Sequence, residues 1–202
     1  MGQQMVKAQN LRRITFSVFQ SPEDGASKHG RVVAITSPLR GEGVTSVSRL
    51  LCRELAGDQF GRTLYCTAEA LANASLEHGS EDHYSITDAG YWTLTSSESG
   101  AASAWDFNPS VRCARLETLR KRFDYIVLDC PAICQGGDLA GVGSLADSIL
   151  MVVGAGRSTK QQLAYAQQVI AELGGTLQGC VLNRRQYPIP SAIYRMLKGG
   201  PR

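Results

Sequence analysis

Residues 31–55 read RVVAITSPLRGEGVTSVSRLLCREL, and they carry the most informative pattern for the fold. Residues 31–36 are apolar and β-branched, which predicts a buried strand of a parallel sheet. A glycine-containing loop follows at residues 37–43. Apolar residues then recur at helical spacing between residues 45 and 57; they are Val47, Leu50, Leu51 and Leu55. A strand, a glycine loop and a helix in this order are typical of a phosphate-binding loop.

Further strands and helices alternate along the rest of the chain. Strands are predicted at residues 62–66, 91–95, 125–129, 148–153 and 178–182. Helices are predicted around Leu116 and Leu119 and from Lys160 to Leu173. This alternation predicts an α/β fold with a mostly parallel sheet flanked by helices on both faces. We expect a domain over 30–187, between a lead-in at 1–29 and a tail at 188–202.

Length, charge and cysteine usage exclude several classes of protein. The 202 residues fit one domain, and a net charge of +3 is too small to indicate a nucleic-acid partner. The six cysteines are scattered without a CxxC pair, so we expect free thiols in a reducing cytosol and no zinc site. Residues 1–10 are polar and no run of about 18 apolar residues occurs, so neither a signal peptide nor a membrane span is expected.

The loop lacks one of the two side chains that phosphate-binding loops use. The usual pattern, GxxxxGK[ST], supplies a lysine for the β- and γ-phosphates and a hydroxyl for magnesium. Here Gly41 and Gly43 are present and Thr45 takes the hydroxyl position, but Val44 takes the position of the lysine. Valine carries no charge, and losing such a stabilising group typically slows phosphoryl transfer by roughly a thousandfold.

Two other interpretations of the loop follow from the same residues. Arg40 is the nearby cation that could replace the lysine, because its guanidinium can reach a phosphate. Alternatively, the loop is a tight turn that binds no ligand.

Four ordered segments resemble the bacterial tyrosine kinases of capsule and exopolysaccharide synthesis. Residues 34–55 resemble xTSPxPGEGKSTxxxNLA, and residues 107–133 resemble NPSELL…LRxxFDYVIIDTPP. Residues 138–163 resemble DALxLAxxADGVLLVVRxGxT, and residues 177–188 contain the counterpart of LxGVVLNRxD. These enzymes are deviant P-loop ATPases related to the partition ATPases, so the resemblance implies a P-loop NTPase fold.

The resemblance also implies roles for individual residues. The loop residues that would hold nucleotide are Arg40, Gly41, Glu42, Gly43, Val44, Thr45 and Ser46. Asp129 matches the catalytic acid that orients magnesium or water, and it would share the metal with Thr45. Asn183 and Arg184 match the place where the family recognises adenine, and Asp138 matches a further acidic position.

Several family features are missing from the chain. The family's second acidic motif, DxD, corresponds here to Thr67-Ala68-Glu69. The tyrosine-rich tail that receives phosphate is reduced to Tyr187 and Tyr194. The arginine motif of ring assembly has at best a partial counterpart in Leu11-Arg12-Arg13. Loss of the lysine, an acid and the tyrosine cluster together indicates abandoned kinase chemistry.

The resemblance therefore predicts an inactive accessory or regulatory protein of exopolysaccharide synthesis or export. Its expected partner is the cytoplasmic part of an inner-membrane polysaccharide co-polymerase, which would place the chain in the cytoplasm at the inner membrane. Self-association is also expected, and ATP or ADP with magnesium would bind weakly or not at all. The alternatives are an active ATPase or tyrosine autokinase with a substituted loop, and a relative of the partition ATPases.

Overall fold

Seven strands form one sheet in the computed structural model, which describes residues 14–15, 19, 30–57, 61–73, 84–94, 109–135 and 143–184. The strands are β1 Arg31–Thr36, β2 Thr63–Thr67, β3 Tyr84–Ile86, β4 Trp92–Leu94, β5 Tyr125–Asp129, β6 Ser148–Gly154 and β7 Leu177–Asn183. Their order across the sheet is β3-β4-β2-β5-β1-β6-β7.

The sheet is parallel except at one edge, where β3 pairs antiparallel with β4. The central strand β1 lies between β5 and β6, and its residues 32–36 are buried. In the register of β1 with β5, Ile35 lies beside Asp129. Because the carboxyl ends of parallel strands meet at the same edge, the loop after β1 and the acid that ends β5 are brought together.

Among the described residues, the α-helices whose bounds are defined are α1 Val44–Gly57, α2 Ala68–Asn73, α3 Pro109–Arg120 and α4 Lys160–Glu172, and a short 3-10 helix spans Ile133–Gln135. Helix α4 begins with a capping box, in which the Thr159 hydroxyl accepts from the amide of Gln162 and the Gln162 side chain accepts from the amide of Thr159. The predicted α/β fold is confirmed. Where both ends of an element were predicted, they differ from the observed ones by at most one residue, as fraying ends allow.

The core lies on both faces of the sheet. On one face, α1 contributes Val47, Leu51 and Leu55. These residues pack with alternate residues of the strands, including Ile35. Phe19, from the lead-in, joins this side by an edge-to-face contact with Tyr125, with ring centroids 5.3 Å apart. On the other face the residues of α3 and α4 contribute to a second buried cluster, which includes Leu116, Leu119, Ala166 and Ile170.

An ion pair stabilises the end of the sheet opposite the glycine loop, where β1 begins. The Arg120 guanidinium, at the end of α3, donates to both carboxylate oxygens of Asp147 across 2.8 Å. Arg120 also donates to the carbonyl of Gly30, and Asp147 accepts from the amide of Val32. Since these bonds join α3 to the start of β1 and to the segment before β6, they fix the strand from which the glycine loop emerges.

Strand β3 was not predicted. It has three residues, two of them exposed, and its pairing with β4 holds it at the sheet edge. Such a short segment carries little periodicity, so its partner strand decides its conformation. Within the described ranges, no helix combines the length and the apolar character needed to cross a membrane.

Candidate functional site

A cleft of about 350 Å³ opens at the carboxyl ends of β1, β2 and β5. Its lining comes from the loop after β1, the start of α1, the segments that follow β2 and β5, and the residue after β7. The lining residues are Ser37, Arg40, Gly41, Gly43, Val44, Thr45, Thr67, Ala68, Glu69, Asp129, Cys130, Pro131, Ala132 and Arg184. This is the edge at which open α/β sheets bind their ligands.

The loop has the backbone conformation that a phosphate cradle requires at two positions. Gly41 has φ 77° and Gly43 has φ 102°, both in the left-handed region that side chains disfavour. At Gly43 a β-carbon would also lie 2.2 Å from Nδ2 of Asn183, so a side chain at this position would displace the Asn183 side chain. The backbone therefore fits a phosphate group, which accepts from amides at the start of a helix.

The side chains at the start of α1 fit a nucleotide only in part. Val44 is half-buried, lines the cleft and packs against the core beneath α1. Thr45 is exposed and lines the cleft, where its hydroxyl could bind a magnesium ion. Ser46 is exposed but is not part of the lining. The lysine position thus faces the cleft with an apolar surface and no charge.

Glu42 belongs to the loop but does not line the cleft. Its side chain is completely buried, and its carboxylate accepts from Ser158 Oγ at 2.6 Å and from the amide of Gly154 at 3.1 Å. The other oxygen accepts from the amide of Leu39 at 3.2 Å. Glu42 therefore fastens the loop to the segment between β6 and α4, and a direct contact with nucleotide stays a prediction.

Asn183 reaches the same loop from the end of β7. Its Nδ2 donates to the carbonyl of Glu42 at 2.8 Å, and its Oδ1 accepts from the amide of Arg184 at 2.9 Å. Asn183 is half-buried and does not line the cleft, whereas the exposed Arg184 does. The predicted role of this pair in recognising adenine stays a prediction.

Three of the described arginines lie in the loop or close to it. Arg40 is exposed and lines the cleft together with Arg184; nucleotide binding by either residue stays a prediction. Arg157, which sequence reasoning missed, follows β6 and donates from Nη1 to the carbonyl of Gly41 at 3.1 Å. No sequence pattern marks Arg157, because its proximity depends on how β6 pairs with β1.

Asp129 ends β5 and lines the cleft, and its catalytic and metal-binding roles stay predictions. Its Oδ2 accepts from the hydroxyl of Tyr65, on β2, at 2.7 Å. Burial raises the pKa of the Tyr65 hydroxyl, and the hydrogen bond to Asp129 and its charge raise it further. The guanidinium of Arg49, on α1, lies 5.4 Å from the centre of the Tyr65 ring. Sequence reasoning missed both Tyr65 and Arg49.

The stretch that replaces the second acidic motif follows β2. Thr67 accepts a hydrogen bond from the amide of Ala70 at 3.0 Å and so caps the short helix α2. Glu69 is exposed and lines the cleft, as Asp129 does. Asp138, Tyr187, Tyr194 and the arginine motif at residues 11–13 lie outside the described residues.

Sequence comparison relates the chain to named tyrosine-protein kinases. Tyrosine-protein kinase CpsD of Streptococcus agalactiae is 25% identical over 84% of this chain and 82% of that protein. The CpsD of Streptococcus pneumoniae serotype 4 is 36% identical over a shorter stretch, 34% of this chain and 30% of that protein. No protein-family model matches the chain.

Solved structures share the fold. The kinase domain of VpsO superposes with a TM-score of 0.73 at 21% identity, over 91% of this chain and 97% of that one. The kinase domain of Escherichia coli tyrosine kinase ETK gives 0.66 at 19% identity, over 91% and 79%. Cobyrinic acid a,c-diamide synthase of Mycobacterium smegmatis, solved with an ATP analog and magnesium, gives 0.63 at 16% identity, over 84% and 78%. The fold is that of the P-loop NTPases. Sequence similarity and fold together confirm the resemblance to the bacterial tyrosine kinases that the ordered motifs indicated.

Proposed function

We propose that this chain is an accessory or regulatory component of bacterial exopolysaccharide synthesis or export that keeps the fold of a tyrosine kinase without its activity. The observation that carries the proposal is Val44, an uncharged side chain that faces the cleft where phosphoryl transfer requires a cation. The ordered resemblance to capsule kinases and the similarity to CpsD support the polysaccharide context.

The residues that remain would hold a nucleotide weakly. The amides of the loop would donate hydrogen bonds to the phosphates, and Thr45 and Asp129, which line the cleft, would bind a magnesium ion. A bound magnesium ion would neutralise part of the negative charge of the phosphates. Without the lysine, the barrier for transfer would stay higher by several kcal/mol, which corresponds to roughly a thousandfold loss of rate.

The proposed partner is the cytoplasmic part of an inner-membrane polysaccharide co-polymerase. The chain would act in the cytoplasm, bound peripherally to the membrane through this partner. Co-isolation of the tagged chain with the co-polymerase from membranes tests the proposal. Recovery of the chain from the cytosol alone, with the co-polymerase present in the same cells, contradicts it.

A second candidate function is an active ATPase or tyrosine autokinase with a substituted loop. It is favoured by Arg40 and Arg184, which line the cleft beside the loop, and by the presence of Thr45 and Asp129. Such an enzyme would use an arginine to neutralise the phosphates.

An autophosphorylation assay separates the two functions. The purified chain is incubated with γ-labelled ATP and magnesium, beside Asp129→Ala and Val44→Lys variants. We expect no tyrosine label on the unmodified chain above the level of Asp129→Ala. Label on the unmodified chain that Asp129→Ala abolishes would establish the second function.

A further inference from the structure

We infer that a cluster of arginines and aromatic rings, remote from the cleft, is a docking site for an acidic segment of a partner protein. The members of this arginine–aromatic cluster are Arg62, Tyr84, Trp92, Arg122 and Phe123. Arg62, Trp92 and Phe123 lie at or just before the first residues of β2, β4 and β5, whereas the cleft opens at the carboxyl ends of strands. The inference therefore does not depend on what the cleft binds.

The three rings form a packed base for the cluster. The ring centroid of Phe123 lies 5.4 Å from that of Tyr84 and 6.3 Å from that of Trp92. Phe123 is 3% exposed and belongs to the core beside α3, while Tyr84 and Trp92 are half-buried and pack against that core. Because rings packed in this way have little freedom, they fix whatever lies on their outer surface.

Two guanidinium groups lie on this base. The guanidinium carbon of Arg62 is 5.2 Å from the ring centres of both Trp92 and Phe123, and that of Arg122 is 5.8 Å from the centre of Tyr84. Neither guanidinium forms an ion pair with a carboxylate of the described residues. A ring attracts a cation without accepting an N–H···O hydrogen bond, so donors of both groups stay available for a carboxylate of another chain.

An exposed apolar side chain lies beside the charges. Ile86, on β3, is 61% exposed, the largest exposed fraction among the large apolar side chains of the described residues. Ile86 pairs directly with Trp92 in the register of β3 with β4, so the two side chains share one face of the sheet. Tyrosine, tryptophan and arginine are the residues enriched where proteins bind each other, and an exposed isoleucine beside them adds apolar contact area.

The charges of the cluster select an acidic partner. A guanidinium presents a planar fork of donors that matches the two oxygens of a carboxylate, and the exposed Lys121 adds a third positive charge next to Arg122. Asp124 is exposed as well, and its carboxylate accepts from the amide of Arg62 at 2.7 Å. This negative charge disfavours a uniformly anionic lipid surface, whereas a peptide can direct its carboxylates to the arginines and an apolar side chain to Ile86.

Fluorescence anisotropy tests the inference with a labelled synthetic peptide of alternating glutamate and leucine, titrated with the full chain at low salt. We expect the same peptide with lysine in place of every glutamate to bind at least about tenfold more weakly. Arg62→Ala and Arg122→Ala should each weaken binding of the glutamate peptide about fivefold, the upper range for an exposed charge pair. Ile86→Ser should weaken it about threefold, because apolar contact is lost. The matched control is Arg53→Ala, an exposed arginine of α1 outside the cluster, which should leave the affinity unchanged.

Equal binding of the glutamate and lysine peptides, or an unchanged affinity in both arginine variants, overturns the inference. Absence of peptide binding overturns it too, and so does co-sedimentation of the chain with phosphatidylglycerol vesicles in place of peptide binding, which assigns the arginines to a membrane surface. These results leave the outcome of the autophosphorylation assay untouched, so failure of the docking site is distinguishable from failure of the proposed function. Circular dichroism verifies the fold of each variant, and Arg122→Ala carries the test if Arg62→Ala does not fold.

Discussion

The hydroxyl of Tyr65 donates a hydrogen bond to Oδ2 of Asp129 across 2.7 Å, from the strand next to the one that Asp129 ends. Tyr65 is buried, with 7% of its surface exposed, and Asp129 lines the cleft. One oxygen of the candidate catalytic acid is therefore held by the protein itself, which fixes the orientation of the carboxylate.

Replacing Tyr65 with phenylalanine should lower the free energy of unfolding by about 1–2 kcal/mol, because a hydrogen bond to a charged acceptor is lost. Urea unfolding at neutral pH measures the change. Tyr91→Phe is the matched control, since Tyr91 packs edge-to-face on Tyr65 with ring centroids 6.5 Å apart but lies outside the cleft lining. Its effect should stay below about 0.5 kcal/mol. Equal effects of the two variants would show that the hydroxyl of Tyr65 contributes nothing specific.

Glu42 should prove a structural residue of the loop. Glu42→Gln replaces a buried carboxylate that accepts from Gly154, Ser158 and Leu39, and it places an amide group where those donors converge. We expect a loss of stability of about 2–4 kcal/mol, because hydrogen bonds to buried charged groups are strong and hard to replace.

Glu69→Gln provides the comparison for Glu42. Glu69 is exposed at the cleft, so the same change should alter the stability by less than about 0.5 kcal/mol. Thermal and urea unfolding of both variants measure the difference. If Glu42→Gln unfolds at the same urea concentration as the unmodified chain, the carboxylate does not hold the loop.

Alkaline pH should destabilise the fold through its buried thiols. Cys52, Cys66 and Cys130 are 0–3% exposed, and burial raises the pKa of each; for Cys66 the pKa rises from 9.0 to about 12. Their folded pKa values lie above the unfolded one, so the stability they contribute is complete below pH 9. It is lost as the pH rises from 9 toward 12, because the unfolded chain then ionises first.

The expected slope is about 1.4 kcal/mol per pH unit for each buried thiol. Urea unfolding between pH 7.5 and 10.5 measures it, and Cys66→Ala should reduce the slope above pH 9 by about one such increment. Val127→Ala removes a buried side chain that does not titrate, so it should lower the stability while keeping the slope. If the slope above pH 9 is unchanged in Cys66→Ala, the buried thiol of Cys66 does not contribute to the loss of stability at alkaline pH.

The local sequence predicted the part of the site that lies close together along the chain. The strand at residues 31–36 is recognisable as a continuous apolar run, because it is buried on both faces of the sheet. The loop that follows is recognisable by its glycines, because a left-handed turn favours glycine. Asp129 was predicted from the family resemblance, in which it matches the catalytic acid at the end of an apolar strand, and the parallel register places it beside Ile35 at the cleft.

The residues missed by the sequence reach the site across the sheet. Tyr65 contacts Asp129 from a neighbouring strand, and Arg157 contacts Gly41 at a separation of 116 residues. A buried tyrosine and an exposed arginine are both common in proteins, so the type of neither residue marks it as part of a site. Glu42 illustrates the converse case, because its place in the loop motif gives no indication that its side chain turns inward, away from the cleft. Such contacts depend on strand pairing, which a local pattern does not encode.

Val44 stands where a cation would support phosphate binding and transfer. Calorimetric titration of ATP with magnesium into the unmodified chain, Val44→Lys and Val44→Leu measures the effect of the missing charge. We expect Val44→Lys to bind at least about tenfold more tightly than the unmodified chain, as one charge-assisted contact to phosphate provides, and Val44→Leu to show no such gain. Equal affinity of the unmodified chain and Val44→Lys would contradict this role of Val44.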